Sequence, residues 1–106
     1  MTKPVTVASI QDDIADLYET ALQFERRAEK CLRDADMYDM VIKETPRKAS
    51  RSEGVKALIK ESEAGARLCR ELADLKKREA DQCASKAQGL EDRLEAYKAW
   101  RAGRAS

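Results

Sequence analysis

The sequence predicts an all-α fold, a long antiparallel two-helix coiled-coil hairpin. Helix-forming residues dominate the 106-residue chain, of which 39% are charged and 5% aromatic. β-branched residues gather only near residues 5–10 and 41–45, so we expect no sheet. Pro4 and Pro46 separate a leader, residues 1–8, from two long helical segments. This length and composition predict a single helical domain and exclude a multidomain enzyme.

The first helix is predicted over about residues 9–44. Ser9 is a suitable N-cap because its hydroxyl can accept a hydrogen bond from a free backbone N–H. Asp12 and Asp13 are expected in the first turn, where negative charge stabilises the helix dipole. Pro46 disfavours helical geometry in the residue before it, so the helix is expected to end just ahead of that proline.

A basic connection, residues 45–51, precedes the second helix, which is predicted over about residues 52–102. A capping-box spacing begins at Ser50, and Ser52 is the rival N-cap. Gly89 destabilises a helix interior by about 1 kcal/mol relative to alanine. The glycine leaves open an alternative in which the chain breaks there and folds back as a third short helix.

Each predicted helix carries a seam of mostly small or apolar residues whose spacing alternates four and three, as in a coiled coil. The seam of the first helix consists of Ile10, Ile14, Leu17, Ala21, Phe24, Ala28, Cys31, Ala35, Tyr38 and Ile42. The seam of the second consists of Val55, Ile59, Ser62, Ala66, Cys69, Ala73, Lys76, Ala80, Cys83, Ala87, Leu90, Leu94 and Tyr97. The repeated alanines predict that the helix axes lie close together.

A short connection permits only antiparallel pairing, so residue i of the first helix is expected to face about residue 97 minus i of the second. The pairs that this rule sets opposite each other include Ile14 with Cys83, Phe24 with Ala73 and Tyr38 with Ile59. Several of these pairs combine a large and a small side chain, which favours dense packing between close helices.

Several leucines lie off both seams and would be exposed in an isolated hairpin. They are Leu68, Leu72, Leu75, Leu22 and Leu32. Leaving this second apolar face in water would forfeit several kcal/mol in a fold whose net stability is about 5–15 kcal/mol. A second copy of the chain is the simplest way to bury these leucines, so the sequence predicts a homodimer that forms a helical bundle. The alternative is that a different protein buries them.

The second helix is predicted to extend beyond the first as an amphipathic overhang that starts at about residue 89. The partner-binding residues expected there are Leu90, Leu94, Tyr97, Trp100 and Arg101. Aromatic side chains next to arginine are typical anchors of protein interfaces. Folding back at Gly89 would instead bury Trp100 against the hairpin.

The residue types indicate no catalytic or metal chemistry. The chain has no histidine, and its three cysteines, Cys31, Cys69 and Cys83, form no CxxC pair. We therefore expect no enzyme activity, cofactor, metal or small-molecule substrate. The widely spaced cysteines, and the absence of a signal segment or a long apolar run, predict a cytoplasmic protein that does not associate with membranes.

These features together predict a non-enzymatic interaction protein that binds a macromolecular partner through its helical faces and overhang. In general style the chain resembles the short helical accessory and chaperone proteins that phages, plasmids and bacterial secretion systems encode, although no residue motif carries this likeness. The alternative is a nucleic-acid-associated accessory protein that uses cations of the connection and tail, with Arg47, Lys48 and Arg51 as its contacts.

Overall fold

The chain forms a two-helix, all-α hairpin in a computed structural model that describes residues 6–46 and 52–105. Helix α1 spans Val7–Glu44 and helix α2 spans Glu53–Ala105. No strand occurs in these two ranges. The predicted fold class is therefore confirmed.

The N-terminus of α1 is capped by Thr6, one turn before the predicted cap. The backbone N–H of Thr6 donates to Ser9 Oγ at 2.9 Å, and the backbone N–H of Ser9 donates to Thr6 Oγ1 at 3.1 Å. This reciprocal pair is a capping box in which a serine replaces the usual Glu or Gln. The prediction of Ser9 as the cap was wrong because both hydroxyls suit the role, and Asp12 and Asp13 consequently lie beyond the first turn.

The junction between the helices agrees with the predicted boundaries. Helix α1 ends at Glu44, and α2 begins at Glu53. The carbonyl of Ser52 accepts a hydrogen bond from the backbone N–H of Lys56 at 2.9 Å, which places Ser52 in the N-cap position. Ser52 was the rival in the prediction, and Ser50, the cap predicted first, lies outside the described residues.

Helix α2 runs without interruption through Gly89. Its backbone is helical from Glu53 to Ala105, and no described glycine has a positive φ. Gln88 Nε2 donates to Asp92 Oδ1 at 3.1 Å, a contact one turn apart that spans the glycine and supports the helix there. The chain therefore forms no third helix by folding back at Gly89.

The buried residues recur along both helices and all belong to the two seams. In α1 they are Ile14, Ala21, Ala28 and Ala35. In α2 they are Ser62, Ala66, Ala73, Ala80, Ala87 and Leu94. The helices thus pack through small side chains, and Ile14 and Leu94 are the only large ones among the buried residues of the described ranges.

The chain divides into two compact units. The terminal unit comprises Met1–Phe24 and Glu79–Ser106, and the central unit comprises Glu25–Arg78. In the terminal unit, three residues form a buried cluster, and four partly buried ones pack against it. The cluster is Ile14, Ala87 and Leu94, and the flanking residues are Val7, Ile10, Leu17 and Leu90.

The central unit holds a close contact between an aromatic ring and a glycine. A Cβ atom added to Gly65 would lie 2.8 Å from Cζ of Tyr38, so the tyrosine ring lies directly over the glycine. A larger residue at position 65 would force the ring to move. Glycine is a poor helix former, but at position 65 its lack of a side chain makes room for the ring of Tyr38.

The register differs from the expected pairing. Ile14 shares its cluster with Ala87 and Leu94, where the rule expected Cys83. In the central unit, Tyr38 lies over Gly65, beyond the expected Ile59. Both side chains reach one turn or more further along α2. The rule relied on the centre of the connection alone, whereas the fit of side chains determines where they pack.

Ala73 provides a test of the close helix packing. It is 0% exposed, so the methylene groups of a leucine would have no space. We expect Ala73→Leu to lower the free energy of unfolding by about 1–3 kcal/mol, measured by urea denaturation. Ala99→Leu, the same change at an exposed position of α2, is the control. Equal stability of the two variants would contradict close packing at Ala73.

Candidate interaction surfaces

The exposed end of α2 starts later than predicted. Leu94 is 8% exposed and belongs to the buried cluster, and Leu90 packs against that cluster together with Val7. Both leucines are therefore core residues, although they were predicted to bind a partner. The prediction failed because α1 begins at Val7 and covers more of α2. Every residue from 95 to 104 is exposed, and we call this segment the C-terminal overhang.

Two aromatic residues of the overhang lie side by side. The ring centroids of Tyr97 and Trp100 are 5.9 Å apart, and the ring planes are tilted by 33°. Tyr97 is 44% exposed and Trp100 is 55% exposed. Residues three apart on a helix share a face, so the pair forms one continuous apolar contact surface.

Arg104 extends this surface by one turn. Its guanidinium carbon lies 5.1 Å from the centroid of the Trp100 ring, which is cation–π geometry. Such a contact stabilises an exposed aromatic side chain by about 0.5–1 kcal/mol and orients the ring before any partner arrives. Arg104 was not among the predicted binding residues, although its spacing of four residues from Trp100 is a usable signal.

The overhang carries a positive charge. Lys98, Arg101 and Arg104 are exposed, and Glu95 is the carboxylate among residues 95–104. Arg101, which was predicted as a binding residue, is therefore on the surface next to Trp100. Aromatic rings with arginines beside them match a partner surface that is apolar at its centre and acidic at its edge.

An acidic groove borders the overhang within the terminal unit. Its lining residues are Gln88, Glu91, Asp92, Leu94, Glu95 and Lys98. Desolvation raises the pKa of Tyr18, and the side-chain hydrogen bond to Glu91 and the negative charges of Glu91 and Asp92 raise it further. The neutral hydroxyl of Tyr18 thus links α1 to the acidic side of α2. Because Glu95 and Lys98 belong to both the groove and the overhang, the acidic and basic surfaces of α2 lie next to each other.

In the central unit, exposed apolar side chains gather on one side, which we call the apolar flank. Its residues are Met37, Tyr38, Val41, Leu58, Leu68, Leu72 and Leu75. Met37, Tyr38 and Val41 line a shallow groove together with Cys69. Leu72 follows Cys69 by one helical turn, and Leu68 and Leu75 lie one turn on either side of Leu72. The three predicted self-association leucines of this region therefore share one surface.

The opposite side of the central unit is charged. A groove there is lined by Asp39, Ile42, Glu63, Ala66, Arg67, Arg70, Glu71 and Asp74, and we call this surface the charged flank. Arg70 and Asp39 form an ion pair across it. Because both side chains are about half exposed, this pair stabilises the fold by less than about 1 kcal/mol.

Two of the predicted self-association leucines do not join the apolar flank. Leu32 is half-buried and lies two turns before Asp39 on α1, which places it on the charged flank of the central unit. Leu22 belongs to the terminal unit, where it is exposed one turn after Tyr18. Both leucines were predicted to self-associate because they lie off the seam, a criterion that does not distinguish the two sides of a helix.

The remaining sequence features have no described binding geometry. Arg47, Lys48 and Arg51, the predicted nucleic-acid contacts, lie outside the described residues. Within residues 6–46 and 52–105, no group of three or more potential ligands is placed to hold a metal ion. The described helices include none that is long and apolar enough to cross a membrane. The three cysteines are half-buried free thiols.

No protein family, curated protein or solved structure matches this chain. Function is therefore inferred from the surfaces of the described residues.

Proposed function

We propose that this chain is a non-enzymatic interaction protein that binds another protein through its C-terminal overhang. The observation that carries the proposal is the exposed Tyr97–Trp100 pair, with Arg104 stacked on the indole ring. Tryptophan, tyrosine and arginine are the residues most enriched among those that dominate binding energy. Each offers a large contact area with a polar edge.

The partner we propose has an acidic, partly apolar surface. Arg104 lies against Trp100 and Arg101 is its exposed sequence neighbour, so negative charges on the partner would face cations as the rings are buried. Charged residues at the edge of an interface mainly raise the association rate and exclude wrong partners. The buried aromatic rings would supply most of the affinity.

The proposal has three further parts. The chain self-associates as a homodimer through Leu68, Leu72 and Leu75, since these leucines share the exposed apolar flank. It acts in the cytoplasm, where reducing conditions keep free thiols such as its own unpaired. It serves as an accessory factor, because the C-terminal overhang and the apolar flank are both suited to binding proteins.

Trp100→Ala tests the overhang. The side chain is 55% exposed on a helix that does not fold back, so its loss should leave helicity and melting temperature nearly unchanged. Binding to the partner should weaken by about 2 kcal/mol, or roughly 30-fold in Kd, as expected for a hot spot. The measurements are a pull-down from the source cells, followed by titration of the captured protein and thermal melting.

Leu22→Ala is the matched control, because Leu22 is exposed in the same unit but lies outside the overhang. It should leave the Kd unchanged. A large drop in the melting temperature of Trp100→Ala would show that Trp100 is a core residue. Salt-dependent binding to generic DNA or RNA, without capture of a defined protein, would replace the proposal with a nucleic-acid function.

A further inference from the structure

A second groove of the terminal unit is bounded by both helices. We call it the Gly89 groove, and its lining residues are Leu17, Ser85, Lys86, Gly89, Leu90 and Arg93. Leu17 and Leu90, which also pack against the buried cluster, form its apolar floor. Arg93 is about 200° around α2 from Glu91 of the acidic groove, at 3.6 residues per turn. The lining of the Gly89 groove contains two cations and no carboxylate, so the two grooves differ in charge.

The Gly89 groove continues along α2 into the aromatic pair of the overhang. The residues that connect them are spaced alternately by four and three, which keeps them on one side of the helix. We call this set the stripe, and it consists of Lys86, Leu90, Arg93, Tyr97, Trp100 and Arg104. The stripe extends about 27 Å along the axis of α2, at 1.5 Å of rise per residue. The aromatic pair is therefore one end of a longer surface, in which apolar residues lie between cations.

The cations of the stripe have no carboxylate of their own helix within reach. Side chains three and four residues apart are neighbours on a helix. Those positions hold glutamine, cysteine, glycine and leucine around Lys86, and glycine, leucine, alanine and tyrosine around Arg93. The corresponding positions before Arg104 hold arginine and tryptophan. The three charges can therefore face carboxylates of a partner.

Gly89 leaves an opening in the wall of the groove that bears its name. A Cβ atom added to Gly89 would meet nothing within 4 Å, in contrast to Gly65, where the ring of Tyr38 fills the space. Glycine destabilises a helix interior, but it lets another chain approach the backbone closely. A large side chain of a partner can therefore rest against α2 at this point.

We propose that the protein partner docks an acidic amphipathic helix along the stripe, with a large apolar side chain over Gly89 and carboxylates facing Arg93 and Arg104. This inference rests on the proposed binding through the overhang and adds the structure of the partner's binding element. A helix that places its apolar face in a groove is a common mode of protein recognition.

The geometry of the stripe favours a helix over an extended peptide. Four-three spacing over about five turns matches the side-chain repeat of a second helix. The backbone groups of α2 are bonded within the helix here, so they offer none of the main-chain hydrogen bonds that hold an extended strand. A docked helix satisfies its own backbone groups and covers Tyr97 and Trp100 with side chains alone.

Charge determines which polar residues the docked helix carries. Lys86 and Arg104 lie at the two ends of the stripe, and Arg93 lies between them. Carboxylates about seven and eleven residues apart on the partner helix would face all three cations, with apolar residues between them. A basic helix would set cation against cation, and like charges at an interface disfavour binding.

Two designed peptides test the docked helix. Each is about 20 residues long, enough to cover the stripe as a helix, and has leucines in four-three spacing and no aromatic residue. Glutamates flank the leucines in the first peptide, and lysines replace them in the second. Trp100 is the only tryptophan of the chain, so its fluorescence reports on the stripe. The acidic peptide should shift this emission to shorter wavelength, become helical by circular dichroism, and bind at least about tenfold more tightly than the lysine peptide.

Gly89→Gln tests the opening. Glutamine is a better helix former than glycine and would meet nothing in the chain, so the melting temperature should stay equal or rise. Binding of the acidic peptide should nevertheless weaken by about tenfold in Kd, because the new side chain occupies the space of the partner's. Gly54→Gln, the same change at an exposed glycine in the first turn of α2, is the matched control and should leave the Kd unchanged.

Charge reversal tests the pairing with the partner's carboxylates. Arg93→Glu should weaken binding of the acidic peptide by at least about tenfold and strengthen binding of the lysine peptide, because it reverses the charge in the middle of the stripe. Arg67→Glu, the same reversal on the charged flank of the central unit, should change neither Kd.

The outcomes separate this inference from the proposed function. The docked helix is overturned if neither peptide binds, if both bind equally, or if Gly89→Gln and Gly54→Gln behave alike. Weaker capture of the partner by Trp100→Ala would still support the overhang in each of these cases. If Trp100→Ala binds the captured protein as tightly as the wild type does, the proposed function fails whatever the peptides do.

Discussion

Leu94→Ala is expected to lower the free energy of unfolding by about 2–5 kcal/mol, the largest effect of any single truncation we expect in this chain. Leu94 is 8% exposed and shares its cluster with Ile14 and Ala87. Most of the buried residues are alanines, so few large side chains contribute apolar burial. Removing one of them leaves a cavity that two rigid helices fill poorly.

The control for Leu94→Ala is Leu22→Ala, which removes the same atoms from an exposed position of the same unit. Leu22→Ala should change the free energy of unfolding by less than about 1 kcal/mol. Urea denaturation at fixed protein concentration gives both values, and an unchanged m-value shows that the same surface is exposed on unfolding. If the two variants were equally stable, Leu94 would belong to the overhang, as the sequence suggested.

The helices and their seams could be predicted because local patterns determine them. Pro46 marks the end of α1, and the four-three spacing selects the residues that become buried, such as Ala28 and Ala73. These signals are contained in the sequence within a few turns of each position. They do not depend on how the two helices meet.

The register could not be predicted in the same way, because it depends on contacts between distant parts of the chain. Tyr38 over Gly65 is such a contact. A lone glycine in a helical segment usually indicates a less stable helix at that point. The sequence alone does not show that the ring of a distant tyrosine will pack over it. The earlier start of α1 at Val7 has a similar cause, since Thr6 and Ser9 cap each other through side-chain hydrogen bonds.

The candidate site was predicted in part. Tyr97, Trp100 and Arg101 are exposed on the overhang, whereas Leu94 is buried because α1 reaches further than the expected register allowed. The leucines off the seam could be identified from spacing alone. Assigning them to one flank or the other required the grooves of the central unit, in which Met37 and Asp39 mark opposite sides.

The double variant Leu68→Glu/Leu72→Glu is expected to abolish self-association. Both leucines lie on the apolar flank, where four carboxylates from two copies would meet in a desolvated interface. Dimerisation should weaken by at least about 100-fold in Kd, since burial of unpaired charges disfavours the complex by several kcal/mol. The product is either a monomer or an unfolded chain.

Sedimentation and circular dichroism together distinguish these two products. A helical monomer would show that the alanine seam holds the hairpin together by itself, whereas loss of helicity would show that folding requires the second copy. Leu22→Glu, an exposed leucine of the terminal unit, is the control and should stay a folded dimer. A wild type that remains a stable monomer at high micromolar concentration would mean that the apolar flank is not a self-association surface.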